Sequence, residues 1–98
     1  MTGGEFAELK KRVAELAQRL RKEPGTACAY QAELLEGELA ETRRYEAAAA
    51  AAAAEGAELD SFTRNRLHCA EGRLEYRAEM AEAFIEAYEK AQQRQIHG

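Results

Sequence analysis

A run of eight alanines, residues 47–54, lies in the middle of this 98-residue chain and constrains its fold more than any other feature. Alanine is the strongest helix former, and together with Glu, Leu and Arg it fills 58 of the 98 positions. One Val and two Ile are the only aliphatic β-branched residues available for strands. The sequence therefore predicts an all-α protein.

Apolar side chains larger than alanine are scarce. Of the 45 residues classed as hydrophobic, 22 are alanines, and Leu, Ile, Val and Phe together number only 15. A chain of this length with so few large apolar residues has enough for one thin core. We therefore expect residues 1–98 to form a single helical domain.

The first predicted helix covers residues 5–23 and is amphipathic. Its large apolar residues recur at spacings of three and four, as on one face of a helix. These residues are Phe6, Leu9, Val13, Leu16 and Leu20. Pro24–Gly25 ends the helix, since Pro cannot continue the hydrogen-bond ladder, and Thr26 offers a hydroxyl to cap the next helix.

Two longer helices are predicted to follow, over residues 26–55 and 59–95. Glu55–Gly56 has the composition of a helix C-terminus, because Gly tolerates the left-handed conformation found there. Asp60 or Ser61 can then cap the third helix with a side-chain oxygen. The sequence thus predicts three helices of increasing length.

The unequal lengths predict the architecture. Folded back on the second helix, the first reaches only to about Arg43, so the alanine-rich end of helix two projects beyond it with the start of helix three. An alanine-faced pair of helices buries little apolar area. We therefore expect an antiparallel three-helix bundle with an extended hairpin, which can form a four-helix bundle on dimerisation. Both long helices are predicted to continue through Gly37 and Gly72.

Polar residues occupy inner positions of the hairpin. At 100° per residue, three arginines of the third helix fall at the centre of its apolar arc, between Phe62 and Leu74. Helix two carries polar residues on its inner stripe, and reflection of the hairpin about residue 57 or 58 places Glu46 between the first two arginines. The set comprises Arg66, Arg73 and Arg77 with Glu38, Thr42 and Glu46.

Two interpretations of this polar set stay open. In the first, it is an internal network of ion pairs that fixes helix register and the choice of partner. In the second, it is a ligand site for a carboxylate or phosphate. Arg66, Arg73 and Arg77 would then clamp the anion, with Thr42 and Glu38 beside it and Glu46 as a candidate catalytic acid or base.

The function predicted first is a non-enzymatic helical assembly or protein-interaction module that acts through the alanine-rich hairpin. The expected partner is a second copy of the chain or another helical protein. Candidate interface residues are Phe62, Leu67, Leu74 and Tyr45. The alternative is a helical-bundle binder or catalyst for a small anionic ligand, held by the inward arginines.

Several function classes are disfavoured. With 14 basic and 18 acidic residues the net charge is −4, which argues against nucleic-acid binding. No apolar run is long enough to span a membrane. Catalytic and nucleotide-binding motifs are missing from the sequence, which favours a protein without enzymatic activity. Cys28 and Cys69 lack metal-ligand spacing, so we expect reduced thiols, no metal or cofactor, and a cytoplasmic location.

In style, the chain resembles idealised or de novo designed helical bundles and coiled coils. The resemblance is carried by the Ala47–Ala54 run, the short connections Glu23–Thr26 and Glu55–Gly56, and the exposed faces rich in Glu and Arg. It implies a helical scaffold and no particular activity. The two cysteines, the two mid-helix glycines and the inward arginines depart from that style.

Overall fold

The computed structural model describes the backbone of residues 2–97 and the side chains of residues 2–95. Four helices follow one another in this range: α1 (Gly3–Arg21), α2 (Thr26–Glu55), α3 (Ser61–His68) and α4 (Ala70–His97). The prediction of an all-α protein is confirmed. The prediction of three helices is wrong, because the third helix is divided at Cys69.

The turn between α1 and α2 depends on one glycine. Gly25 has φ of 130°, a conformation that residues with a side chain rarely adopt. It is also the residue that precedes the first turn of α2, so no side chain caps that helix. The predicted capping role of Thr26 is therefore wrong: Thr26 is the first residue of the helix itself.

The end of α2 is a Schellman motif, as the Glu55–Gly56 pair predicts. Gly56 has φ of 68°, and its N–H donates to the carbonyl of Ala53 at 3.2 Å. The next N–H, of Ala57, donates to the carbonyl of Ala52 at 2.9 Å. These two bonds satisfy carbonyls that the end of the helix would otherwise leave unpaired.

Asp60, rather than Ser61, caps α3. One carboxylate oxygen accepts the N–H of Thr63 and the other accepts its hydroxyl, both at 2.8 Å. These two bonds stabilise the ionised form and lower the pKa of Asp60.

The interruption between α3 and α4 is a single residue. Cys69 has φ of −93° and ψ of −3°, its N–H donates to Asn65 at 3.1 Å, and its carbonyl accepts from Arg73 at 3.2 Å. Gly37 and Gly72 lie within helices, and a Cβ added at either would meet no atom within 4 Å. Neither glycine therefore serves a close approach between helices.

The core lies where α1, α2 and α4 meet, and each helix contributes one stripe. The stripes are Leu9, Val13, Ala17 and Leu20; Cys28, Ala32, Leu35 and Leu39; and Leu74, Ala78, Ala81 and Ile85. The ion pairs Arg12–Glu82 and Arg19–Glu89 join α1 to α4. A step of seven residues along α1 corresponds to a step of seven in the same direction along α4, so the two helices run parallel. Half of the third stripe is alanine, which permits close approach of the helices.

The helical projection predicts the arginines at the centre of the buried stripe. In the structure, the arginines of α4 do not lie there. Leu74 is fully buried, whereas Phe62 and Tyr76 are exposed. The predicted apolar arc is too wide: Leu74, Ala78, Ala81 and Ile85 form the buried face, and the predicted members Phe62, Tyr76 and Met80 are exposed. Arg73 lies on the flank of that face, half-buried.

Beyond α1 the chain continues as a two-helix projection. Among the described residues, α1 contacts α2 and α4 but not α3. We call residues 43–68, which comprise the end of α2, its connection and α3, the hairpin tip. The molecule is accordingly elongated, with extents of 63 × 24 × 17 Å. No helix in the described part of the chain is apolar over a stretch long enough to cross a bilayer.

Candidate functional site

Arginines of α3 and α4 meet glutamates of α2 on one side of the hairpin. Arg66 donates from Nε to Glu41 Oε1 at 2.9 Å, and its Nη2 donates to the same oxygen. Arg73 donates from Nε to Glu38 Oε2 at 3.3 Å. All four side chains are half-buried, so their charges are less screened than those of surface pairs.

Glu38 is shared between two guanidinium groups. Besides the bond from Arg73, its other oxygen lies 4.0 Å from Nε of Arg77. The Arg77 guanidinium also lies 6.0 Å from the centre of the Tyr76 ring, at the limit of a cation–π contact. Arg77 is therefore the most loosely held of the three arginines.

Arg73 also links the two helices on either side of the interruption. Its Nη2 donates to the backbone carbonyl of Arg66 at 2.8 Å. That carbonyl belongs to the last turn of α3, where helix geometry leaves carbonyls without an intrahelical partner. Arg73 thus satisfies a backbone acceptor and a carboxylate at once, which fixes its orientation.

An open groove of about 420 Å³ borders this network. It is lined by Glu38, Cys69, Gly72, Arg73, Tyr76 and Arg77. Its lining combines charged groups from two helices with the exposed ring of a tyrosine, and the glycine leaves its floor without a side chain. The groove is large enough for a small organic molecule.

Most of the predicted polar set does come together here. Arg66, Arg73, Arg77 and Glu38 form one connected group. Thr42 lies beside the group but faces inward: it is fully buried, and its hydroxyl donates to the carbonyl of Glu38 at 2.9 Å. The Thr42 hydroxyl therefore donates its proton within its own helix.

Glu46 is placed elsewhere. Its carboxylate accepts from Lys10 of α1 at 2.8 Å, and no arginine of the hairpin pairs with it among the described residues. The reflection of the hairpin could not anticipate this contact, because Lys10 belongs to a different helix. Glu46 therefore has a half-buried ion pair with α1, and it is not among the residues that line the groove.

Glu41 is the partner that sequence reasoning missed. It lies three residues after Glu38 and four before Tyr45, so the three share one stripe of α2. This spacing is a signal in the sequence from which Glu41 could have been identified as a member of the site. The hydrogen bond from Arg66, with the charge of that guanidinium, lowers the pKa of Glu41, and the same bond raises the pKa of Arg66.

The four candidate interface residues differ in exposure. Leu74 is part of the core, and Leu67 is half-buried. Phe62 is 66% exposed and touches the half-buried Tyr45 edge to face, with ring centres 6.2 Å apart. Phe62 is thus the largest apolar group that α3 presents to its surroundings.

The remaining reactive side chains form no cluster. Cys28 is buried in the core, where burial raises the pKa of its thiol, whereas Cys69 is exposed at the groove; both are free thiols. His68 is exposed. Among the described residues, no three His, Cys, Asp or Glu side chains are close enough to hold a metal ion.

The lowered pKa of Glu41 predicts a loss of stability in acid. Because the folded pKa is below the unfolded one, the Arg66–Glu41 bond stabilises the fold above the ordinary value of 4.5 and ceases to do so as pH falls through the folded value. We expect the Glu41→Gln variant to be less stable than the wild type at neutral pH and the difference to shrink at about pH 3.

Thermal unfolding at the two pH values measures this. Glu79→Gln, a neutralisation on the exposed surface of α4, is the control and should show no such convergence. A stability difference between Glu41→Gln and the wild type that is the same at both pH values would contradict the assignment. Glu36 and Asp60 also have lowered pKa values, but both residues are the same in the variant and the wild type. Their contributions to the pH dependence therefore cancel in the difference.

No protein-family model matches the chain, and neither a curated protein nor a solved structure is significantly similar to it. Its function therefore has to be inferred from the contacts and exposed surfaces of the chain itself.

Proposed function

We propose that the protein is a non-enzymatic helical assembly module, and that two copies pair through their hairpin tips to form a four-helix bundle. The observation that carries this proposal is the exposure of the tip. It protrudes beyond α1 as only two helices, yet it presents Phe62 and most of an alanine run to its surroundings.

The alanine run has one covered side and one free side. Ala49 and Ala52 are half-buried, while the other six alanines of residues 47–54 are exposed. Alanine keeps a helix narrow, so a second helix can approach this free side closely. In a two-helix projection the buried apolar area is small, and a second tip would add to it.

The charges of the tip favour a second copy as the occupant. Residues 43–68 contain four basic and four acidic residues, so the tip is neutral although the whole chain carries −4. Two tips can therefore approach without the repulsion that the rest of the molecule would produce.

The charges are also separated along the tip. Exposed Arg43 and Arg44 lie at its base, and exposed Glu55 and Glu58 lie at its apex. Arg44 and Glu55 are about 16 Å apart along the helix axis. If two tips overlap in antiparallel orientation about a two-fold axis, the apex of each meets the base of the other, and opposite charges face one another.

The variant Ala51→Glu tests the pairing. We expect sedimentation equilibrium of the wild type to give the mass of two chains of 10.9 kDa. Glu is nearly as good a helix former as Ala, so the variant should fold. A carboxylate forced into a close helix contact should weaken the dimer at least about tenfold.

Ala87→Glu is the matched control, since it makes the same change at an exposed alanine of α4 outside the tip. It should leave the dimer unchanged. High salt should weaken the wild-type dimer, because the end-to-end charge contacts are screened. A wild-type chain that stays monomeric at every concentration would rule out self-pairing, and a complex formed only with a different helical protein would assign the tip another occupant.

A further inference from the structure

We propose that the groove beside Arg73 and Arg77 is a binding site for the carboxylate of a small organic acid. The groove is lined by residues of α2 and α4 and by Cys69 at the interruption, all outside the hairpin tip. This inference therefore goes beyond the proposed pairing and does not depend on it.

The charges lining the groove are unbalanced. Two guanidinium groups, those of Arg73 and Arg77, line it with one carboxylate, that of Glu38. Glu41 pairs with Arg66, and Glu38 is the carboxylate that lies within 4.0 Å of both Arg73 and Arg77. One positive charge is left without a counter-charge in this group, and a single carboxylate would neutralise it.

The N–H donors of Arg77 are available to a ligand. Its Nε lies 4.0 Å from the nearest oxygen of Glu38, too far for a hydrogen bond, and within the described part of the chain its guanidinium makes none. A guanidinium offers five N–H donors in a planar fork that matches a carboxylate. Arg73, by contrast, is fixed by bonds to Glu38 and to the Arg66 carbonyl, so it supplies a positioned charge beside the guanidinium of Arg77.

The space and the walls suit a ligand with an apolar body. The groove measures about 420 Å³, within the range of small-ligand sites. Gly72 leaves its floor open, since a Cβ there would meet nothing within 4 Å. The Tyr76 ring, 58% exposed, forms one wall on which an aromatic or aliphatic group can pack. Benzoate combines both properties and is the probe of choice.

Calorimetric titration with benzoate tests the site, with benzamide as the uncharged probe of the same shape. We expect benzoate to bind and benzamide to bind at least about tenfold more weakly, since it lacks the charge. Arg77→Gln should weaken benzoate binding by a similar factor. Arg94→Gln removes the same charge from an exposed position about 25 Å further along α4 and should have no effect.

A second variant keeps the test valid if Arg77→Gln perturbs the fold. Gly72→Leu should fold, because the added Cβ meets open space and leucine is the better helix former, yet its side chain would occupy part of the groove and weaken binding. Equal binding of benzoate and benzamide, or equal weakening by Arg77→Gln and Arg94→Gln, would overturn the proposal.

Two further measurements separate this inference from the proposed pairing. Benzoate binding should persist in the Ala51→Glu background, and Arg77→Gln should leave the sedimentation mass unchanged. A helical peptide that carries one Glu distinguishes the source of the carboxylate. If the peptide binds and benzoate does not, the groove is a docking surface for an acidic helix, and the small-acid site is overturned.

Discussion

Replacing Leu74 by Ala is expected to lower the free energy of unfolding by about 2–5 kcal/mol. Leu74 is fully buried in the α4 stripe of the core, and it is one of few large side chains there. Truncation removes its transfer free energy and leaves a cavity that two rigid neighbouring helices cannot easily close. Small domains are stable by only about 5–15 kcal/mol, so this one change removes a large part of the total.

Urea denaturation followed by circular dichroism measures the effect, at a concentration where the chain is monomeric. The control is Phe62→Ala, which also removes a large apolar group from the hairpin but from an exposed position. It forfeits an edge-to-face contact with Tyr45 and should cost no more than about 1 kcal/mol. If Leu74→Ala instead kept its stability and disrupted only self-association, Leu74 would be the interface residue that the sequence predicted.

The features of the fold that the sequence predicted are those set by local chemistry. Gly56 adopts the left-handed conformation that ends a helix, and Asp60 provides the side-chain acceptor that starts one. Both properties belong to the residue and its immediate neighbours. The helical content follows in the same way from the propensities of Ala, Glu, Leu and Arg.

The interruption at Cys69 could not be predicted in this way. Neither proline nor glycine occupies the position, and the backbone there stays close to helical. What accompanies the interruption is the bond from the Arg73 guanidinium to the Arg66 carbonyl, between side chain and backbone seven residues apart. Periodicity describes which face a residue occupies and contains no information about such a contact.

The site was predicted in part for a related reason. The arginines and Glu38 were identified from their positions on inner stripes, and the structure brings them together. Glu46 joins this group only if the two arms of the hairpin are mirror images. Its actual partner, Lys10, comes from the third element packed against the hairpin, and Glu41 takes the place near Arg66. A pairwise projection of two helices cannot rank partners offered by a third.

Replacing Glu38 by Gln is the second large expected effect, a loss of about 1–3 kcal/mol of stability. Gln retains the size of the side chain but removes the carboxylate that pairs with Arg73 and Arg77, whose side chains are 21% and 33% exposed. Their charges would then be half-buried without a neutralising partner. That residual cost, rather than the lost attraction, dominates when one member of a shielded pair is removed.

Glu86→Gln is the matched control, because Glu86 pairs with Lys90 one turn along α4 and both side chains are more than 60% exposed. Solvent screens that pair, so its loss should change stability by no more than about 0.5 kcal/mol. A double-mutant cycle of Glu38→Gln with Arg73→Met should recover part of the loss, since the second change removes an uncompensated charge. Equal effects of Glu38→Gln and Glu86→Gln would mean that water, not protein, surrounds the arginine network, and that it does not hold the hairpin in register.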